Sequence, residues 1–194
     1  MENSLVAAYI AGGVTVLCSL LSLGFQGYSF FQSKRLEQKK INAELVSKAR
    51  IEWINKVRLQ SAELIANTEK WRSVESLIRR IEDGKIDNTD GERTEYINKL
   101  YTDKTNEIDE LSLKIIAQTN VLTLYFSNNE ENKEILETLS KIKESIFNYK
   151  GNWVENNFDV ARLHVNTNRI YQNKFSDSIR MYLKQEWDKA KNAE

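Results

Sequence analysis

The first part of the chain is a long stretch without a charged side chain, from Asn3 to Ser33. A helix needs about 20 mostly apolar residues to cross the hydrocarbon core of a bilayer. The segment from Leu5 to Phe25 meets that length, so the pattern predicts one transmembrane helix there. Tyr28, Phe30 and Phe31 follow it, and aromatic rings of this kind settle at the membrane–water interface.

A cleaved secretory signal is the alternative interpretation of this segment. A signal peptide begins with basic residues, whereas Glu2 is the only charged side chain before the apolar run. The run is also long for a signal, and it ends in aromatic residues rather than in a small-x-small cleavage site. An uncleaved anchor is therefore favoured.

After the anchor, apolar residues recur at steps of three and four, which is the period of a helix with one buried face. The first such stripe predicts a helix that is either separate from the span or continuous with it. A cluster of glycines and cap-forming residues at Asp83–Gly91 then predicts a turn. The apolar stripes predict helices over Ile41–Ile81, Gly91–Phe126, Glu130–Tyr149 and Trp153–Lys191, the last as one helix or two.

Two helix ends have sequence signals of their own. Ser127 and Glu130 have the spacing of a capping box, so Ser127 is predicted to cap the third helix. Gly151, between Lys150 and Asn152, is predicted to end that helix, because glycine tolerates the left-handed conformation of a helix end.

The fold class that follows is all-α, a single N-terminal transmembrane helix followed by a cytoplasmic bundle of long helices. Residues 1–33 are predicted to form the anchor and interfacial segment, and residues 34–194 the bundle domain. The chain has no proline, which favours uninterrupted helices, and no segment of useful length alternates with the period of a strand.

The charges beside the span predict its orientation. Between Lys34 and Arg58 there are eight Lys or Arg residues and three Glu residues, while the amino-terminal side has no basic side chain. Positive charge near a span stays in the cytoplasm, so the N-terminus is expected outside and the C-terminal domain in the cytoplasm. A lone Cys18, within the span, fits a reducing compartment.

Four small or hydroxyl residues in the span are candidate contact sites. Ala8 and Gly12 form a small-x-x-x-small pair, which lets helix backbones approach each other in lipid. Thr15 and Ser19 add hydroxyl groups that would pack against a partner helix or line a pore. Glycine and alanine are also common in spans without any such role. One span cannot enclose a pore, so conduction would require a ring of subunits.

The motifs of catalysis and cofactor binding are absent from the sequence. His164 is the only histidine, and no phosphate-binding glycine loop or nucleophile elbow occurs. Asp87 and Asp90 do not fit the register of a calcium-binding EF-hand, so a turn between helices explains them better. No enzyme activity, cofactor, metal or nucleic-acid partner is therefore expected, the last because the domain has no overall basic excess.

Three segments resemble a broad class of poorly characterised bacterial and phage proteins that have one N-terminal span and a helical domain. These segments are Ala49–Ile54, of which Arg50, Glu52 and Trp53 are part, Tyr125–Glu134 and Leu183–Lys191. The resemblance implies a single-pass protein of the bacterial inner membrane.

The architecture is also similar to the HEPN-like membrane accessory protein of type VI CRISPR systems, a helical protein that assembles as a ring-shaped pore. HEPN ribonucleases have an arginine shortly before a histidine. Asn157, Phe158 and Asp159 stand at those positions before His164, so no ribonuclease activity is predicted.

The favoured hypothesis is a homo-oligomeric membrane-anchored protein that forms a pore or depolarises the membrane in antiphage defence. The alternative is a non-conducting scaffold or adaptor that recruits a cytoplasmic protein partner to the lipid bilayer. Arg50, Glu52 and Trp53 are the candidates for packing between helices.

Overall fold

The computed structural model describes the backbone of residues 2–84, 91–155 and 157–192, and the side chains of residues 13, 22–84, 94–155 and 157–192. Every regular element in these ranges is an α-helix, which confirms the all-α class. The helices are α1 (Glu2–Glu82), α2 (Gly91–Thr123), α3 (Lys133–Val154) and α4 (Phe158–Asn192). The last predicted segment is thus one helix rather than two. The predicted acidic turn residues Asp87 and Asp90 lie outside the described residues.

The chain divides into two compact units. The first unit runs up to Ala49 and includes the residues from Ala190 onward, and the second unit is Arg50–Lys189. Within the first unit, the Ser47 hydroxyl donates a hydrogen bond of 2.7 Å to the backbone carbonyl of Ala190.

The core of the second unit is built from the predicted apolar stripes. On α1 the buried side chains recur at three- and four-residue steps, as expected of a helix that buries one face. Fully buried side chains of all four helices meet in one cluster, which includes Leu64, Trp71, Ile115, Leu122, Leu139, Ile142 and Phe175. The same stripe is exposed at Ile41 and Leu45, both of which belong to the first unit.

The predicted capping box at Ser127 is wrong. Helix α3 begins at Lys133, and its N-cap residue is Asn132. The Asn132 side-chain amide donates to the Ser127 carbonyl oxygen at 3.0 Å and to the Ser127 hydroxyl at 3.2 Å. Ser127 therefore stabilises the turn between α2 and α3, and its hydroxyl is not used to cap a helix.

The predicted end of α3 at Gly151 is also wrong, because the helix continues to Val154. Aromatic packing holds the additional turn: the Trp153 ring stacks on Tyr149 at 5.5 Å and meets Phe158 edge-on at 4.9 Å. The glycine that does end a helix is Gly84, which follows α1 with φ of +65°. Only glycine adopts this left-handed conformation without strain.

Candidate functional site

The four predicted contact residues of the span lie on α1. The side chains of Ala8, Gly12, Thr15 and Ser19 lie outside the described residues, so their role in packing or pore lining stays a prediction. In the part of the chain whose side chains the structure describes, none of the helices contains a stretch long and apolar enough for a membrane span.

The described part of the first unit exposes large hydrophobic side chains. Nine of them are 48–75% exposed: Leu23, Phe25, Tyr28, Phe30, Phe31, Leu36, Ile41, Leu45 and Val46. The Lys34 ammonium lies 4.9 Å from the centre of the Phe30 ring, and the Gln32 amide donates to the Tyr28 hydroxyl at 2.8 Å. We call Leu23–Val46 the aromatic–basic segment, because Lys34 and its basic neighbours follow the rings directly.

Arg50 and Trp53 make contacts to other elements of the second unit. The Arg50 Nε atom lies 3.5 Å from the Glu186 carboxylate of α4. The Trp53 ring meets the rings of Phe126 and Tyr182 edge-on, at centroid distances of 6.2 and 5.9 Å. These contacts join α1 to the turn that follows α2 and to α4.

Glu52, the third candidate of this group, has an exposed side chain. The structure therefore does not bring it together with Arg50 and Trp53 in one packed site.

An apolar groove lies between α1 and α4 in the second unit. Its volume is about 470 Å³. The floor consists of buried or half-buried side chains and the rim carries three basic residues without a lining carboxylate. The floor is formed by Ser61, Ile65, Ile179, Leu183 and Trp187, and the basic rim by Arg58, Arg180 and Lys184.

Ser61 gives the groove its one buried polar atom without a partner. The Ser61 hydroxyl oxygen is buried and has no hydrogen-bond partner among the described residues. An unpaired buried hydroxyl costs free energy, which a ligand or partner that donates or accepts a hydrogen bond there would recover.

The basic rim of this groove and the pairing of its two walls were not predicted from the sequence. Its two walls lie far apart along the chain, and Arg58, Arg180 and Lys184 each occur as ordinary charged residues on a helix surface. The available signal was the apolar stripe of α4 from Phe175 to Trp187, which identified the floor but not its partner helix.

Polar pairs inside the bundle fix how its helices pack. The Trp71 indole nitrogen donates to the Ser112 hydroxyl at 2.9 Å, and the Asn168 amide donates to the Ser145 hydroxyl at 3.0 Å. Both pairs are buried and join different helices. Buried polar groups need such partners, so these pairs favour one register of the helices over others.

No metal-binding cluster occurs among the residues that the structure describes. His164 is half-buried on α4, and no group of three or more His, Cys, Asp or Glu side chains in the described ranges could hold a metal ion. The expectation that the protein is not an enzyme stays a prediction.

Comparisons with known proteins add no family to this description. No protein-family model, curated protein or solved structure matches the chain. The resemblances to single-span bacterial and phage proteins and to the type VI CRISPR accessory protein therefore stay predictions.

Proposed function

We propose that this protein is a membrane-anchored homo-oligomer. The observation that carries the proposal is the aromatic–basic segment, in which nine large hydrophobic side chains are 48–75% exposed. Each buried Å² of apolar surface is worth about 25 cal/mol, so leaving this surface in water is unfavourable. At a membrane interface the rings would be buried among the head groups, and the following lysines and arginines would face anionic lipid.

The uncharged segment from Leu5 to Phe25 precedes these exposed rings directly and has the composition of a span. The combination of an apolar run, an aromatic layer and a basic flank is the usual order at the cytoplasmic end of a transmembrane helix. It supports an N-terminus outside and a bundle in the cytoplasm of the bacterial inner membrane.

Self-association is the second part of the proposal. Ala8 and Gly12 permit close approach of two helix backbones, and Thr15 and Ser19 can donate hydrogen bonds across such a contact. A ring of spans with these hydroxyl groups turned inward would conduct ions, as expected of a depolarising effector in antiphage defence.

The apolar groove favours a second candidate function, a non-conducting adaptor. A helix of a cytoplasmic partner with apolar residues on one face and acidic residues at its edges would fit the apolar floor and the basic rim. In this version the span serves only to hold the bundle at the membrane.

An extraction experiment tests membrane anchoring. The full chain is expressed in bacteria, and the membranes are washed with carbonate at high pH, which releases peripheral proteins. We expect the wild type to stay in the membrane. The variant Val14→Asp/Leu20→Asp should be released, because each charge in the middle of a span costs roughly 2.5–3.5 kcal/mol.

The matched control introduces two aspartates at exposed positions of the helical bundle. Leu113 and Ile170 are 63% and 65% exposed, so Leu113→Asp/Ile170→Asp should remain in the membrane. Extraction of the wild type by carbonate would contradict the anchor.

Two further measurements separate the pore from the adaptor. A pore predicts that the reconstituted protein releases a small dye from lipid vesicles, and that Thr15→Val/Ser19→Val changes the rate of release. An adaptor predicts no release, and it predicts that an unrelated span in place of Leu5–Phe25 preserves activity in cells.

A further inference from the structure

A second cavity between α1 and α4 is polar and lined by arginines. Its volume is about 390 Å³. Each helix contributes residues at steps of three or four, so each presents one face to the cavity. The lining residues are Arg72, Glu75, Ser76 and Arg79 from α1, and Arg162, Val165, Asn166 and Arg169 from α4. We call it the arginine cavity.

The charges that line the arginine cavity are unbalanced. Four guanidinium groups and one carboxylate, that of Glu75, line the cavity; the carboxylates of Asp159, Glu82 and Asp83 lie beside Arg162, and the charge of Glu69 acts on Arg72. Burial lowers the pKa of Arg72; the charge of Glu69 acts in the opposite direction, and the charge of Arg169 lowers the pKa further. Like charges held together in this way repel each other, and a bound anion removes that cost.

Two of the arginines have protein partners. Arg162 lies 3.4 Å from the Asp159 carboxylate and 3.7 Å from those of Glu82 and Asp83. Arg72 donates to the side-chain oxygen of Gln172. The Nε atom of Arg162 is nevertheless buried without a hydrogen-bond partner among the described residues.

The other two arginines have no such partner. Neither Arg79 nor Arg169 has a carboxylate oxygen within 4 Å among the residues that the structure describes, although the charge of Arg79 acts on the buried carboxyl of Glu75; both arginine side chains are exposed. Their guanidinium groups come from opposite walls and border the same space. Two planar, always charged donors that line the same cavity can bind phosphate oxygens in a bidentate manner.

We propose that the arginine cavity binds a small soluble molecule that carries two or more phosphoryl groups, such as a diphosphate or a nucleoside polyphosphate. A terminal phosphoryl group carries about 1.5 to 2 negative charges at pH 7. Arg79 and Arg169 line opposite walls of the cavity, so a molecule with two phosphoryl groups can place one on each arginine, whereas the single phosphodiester of a common lipid head group cannot. The Ser76 hydroxyl and the Asn166 amide add neutral hydrogen-bonding groups for the rest of the molecule.

Titration calorimetry on the full-length protein in detergent tests this site, without divalent cations and at low salt. Pyrophosphate and ATP are the probes, and glycerol phosphate and citrate are the comparison anions. We expect one saturable site for pyrophosphate or ATP. Glycerol phosphate and citrate should bind at least about tenfold more weakly, since glycerol phosphate has only one phosphoryl group and citrate has none.

The variant Arg79→Ala/Arg169→Ala removes the two arginines without carboxylate partners. It should weaken pyrophosphate binding by roughly a hundredfold, about tenfold for each charge-assisted contact. The matched control is Arg80→Ala/Arg180→Ala, which changes the same helices and the same net charge. Arg80 lines a different cavity and Arg180 the rim of the apolar groove, so the control should bind as the wild type does.

Three results would overturn the proposal: no saturable binding of pyrophosphate or ATP by the wild type, equal affinity for citrate or glycerol phosphate, or an equal loss in the control variant. Thermal unfolding of each variant checks its fold. If the double alanine variant is unfolded, the single variants Arg79→Gln and Arg169→Gln replace it, and each must weaken pyrophosphate binding about tenfold for the proposal to stand.

Discussion

Glu75 is a carboxyl group on the same face of α1 as the core residues Trp71 and Ile78, where packing leaves it only 3% exposed. Burial raises its pKa, although the charges of Arg79 and Arg162 act in the opposite direction. The sequence predicted the apolar neighbours of Glu75 correctly as buried. It did not predict Glu75 itself, because a charged residue beside an apolar stripe ordinarily faces water.

The variant Glu75→Gln is expected to be more stable than the wild type at neutral pH, by on the order of 1 kcal/mol. Folding raises the pKa of this acid above its ordinary value of 4.5, so ionisation opposes folding. The penalty is absent below pH 4.5, where the carboxyl is protonated in both states, and it develops as the pH rises from there through the raised pKa. The gain of the variant should therefore vanish at acid pH.

Denaturant unfolding at pH 7.5 and pH 4 measures this difference. Glu110→Gln is the control, because the Glu110 side chain is exposed on α2 and should change stability little at either pH. A gain for Glu75→Gln that is the same at both pH values would contradict the account, since it would have no link to the ionisation of Glu75.

The presence of the helices could be predicted from the sequence, whereas the positions of their ends depended on tertiary packing. The apolar stripes and the absence of proline were sufficient for α1, α2 and α4, because period and composition are local properties. The end of α3 could not be predicted in this way, since Gly151 has the local signal of a helix end. The rings of Tyr149, Trp153 and Phe158 pack together across that signal and keep the chain helical to Val154.

Two glycine variants test this explanation, with opposite expected signs. Gly151 lies inside α3, and a Cβ atom added there meets no atom within 4 Å, so Gly151→Ala should stabilise the protein by about 0.5–1 kcal/mol. Gly84 has φ of +65°, so Gly84→Ala should destabilise it by roughly 1–2 kcal/mol. If Gly151→Ala also destabilised the protein in urea unfolding, the helical assignment at Gly151 would be wrong.

At the scale of the whole molecule, the candidate sites of the bundle could not be predicted from the sequence. Arg79 and Arg169 line one cavity only because α1 and α4 pack side by side, and no local pattern records that pairing. The basic rim of the apolar groove is assembled in the same way. The aromatic–basic segment, in contrast, is continuous in sequence, so the membrane contact that we propose for it could be predicted from its composition alone.

The central claim is that the protein is a membrane-anchored homo-oligomer, and the mass of the solubilised full-length protein tests it most directly. Light scattering, corrected for bound detergent, should give a multiple of the 22.6 kDa chain mass. Ala8→Leu/Gly12→Leu should lower that mass, because the larger side chains separate the helix backbones. Val6→Leu/Ile10→Leu, which changes two already large residues on the opposite face of the same helix, should leave it unchanged. A wild-type protein with the mass of a single chain would contradict the account.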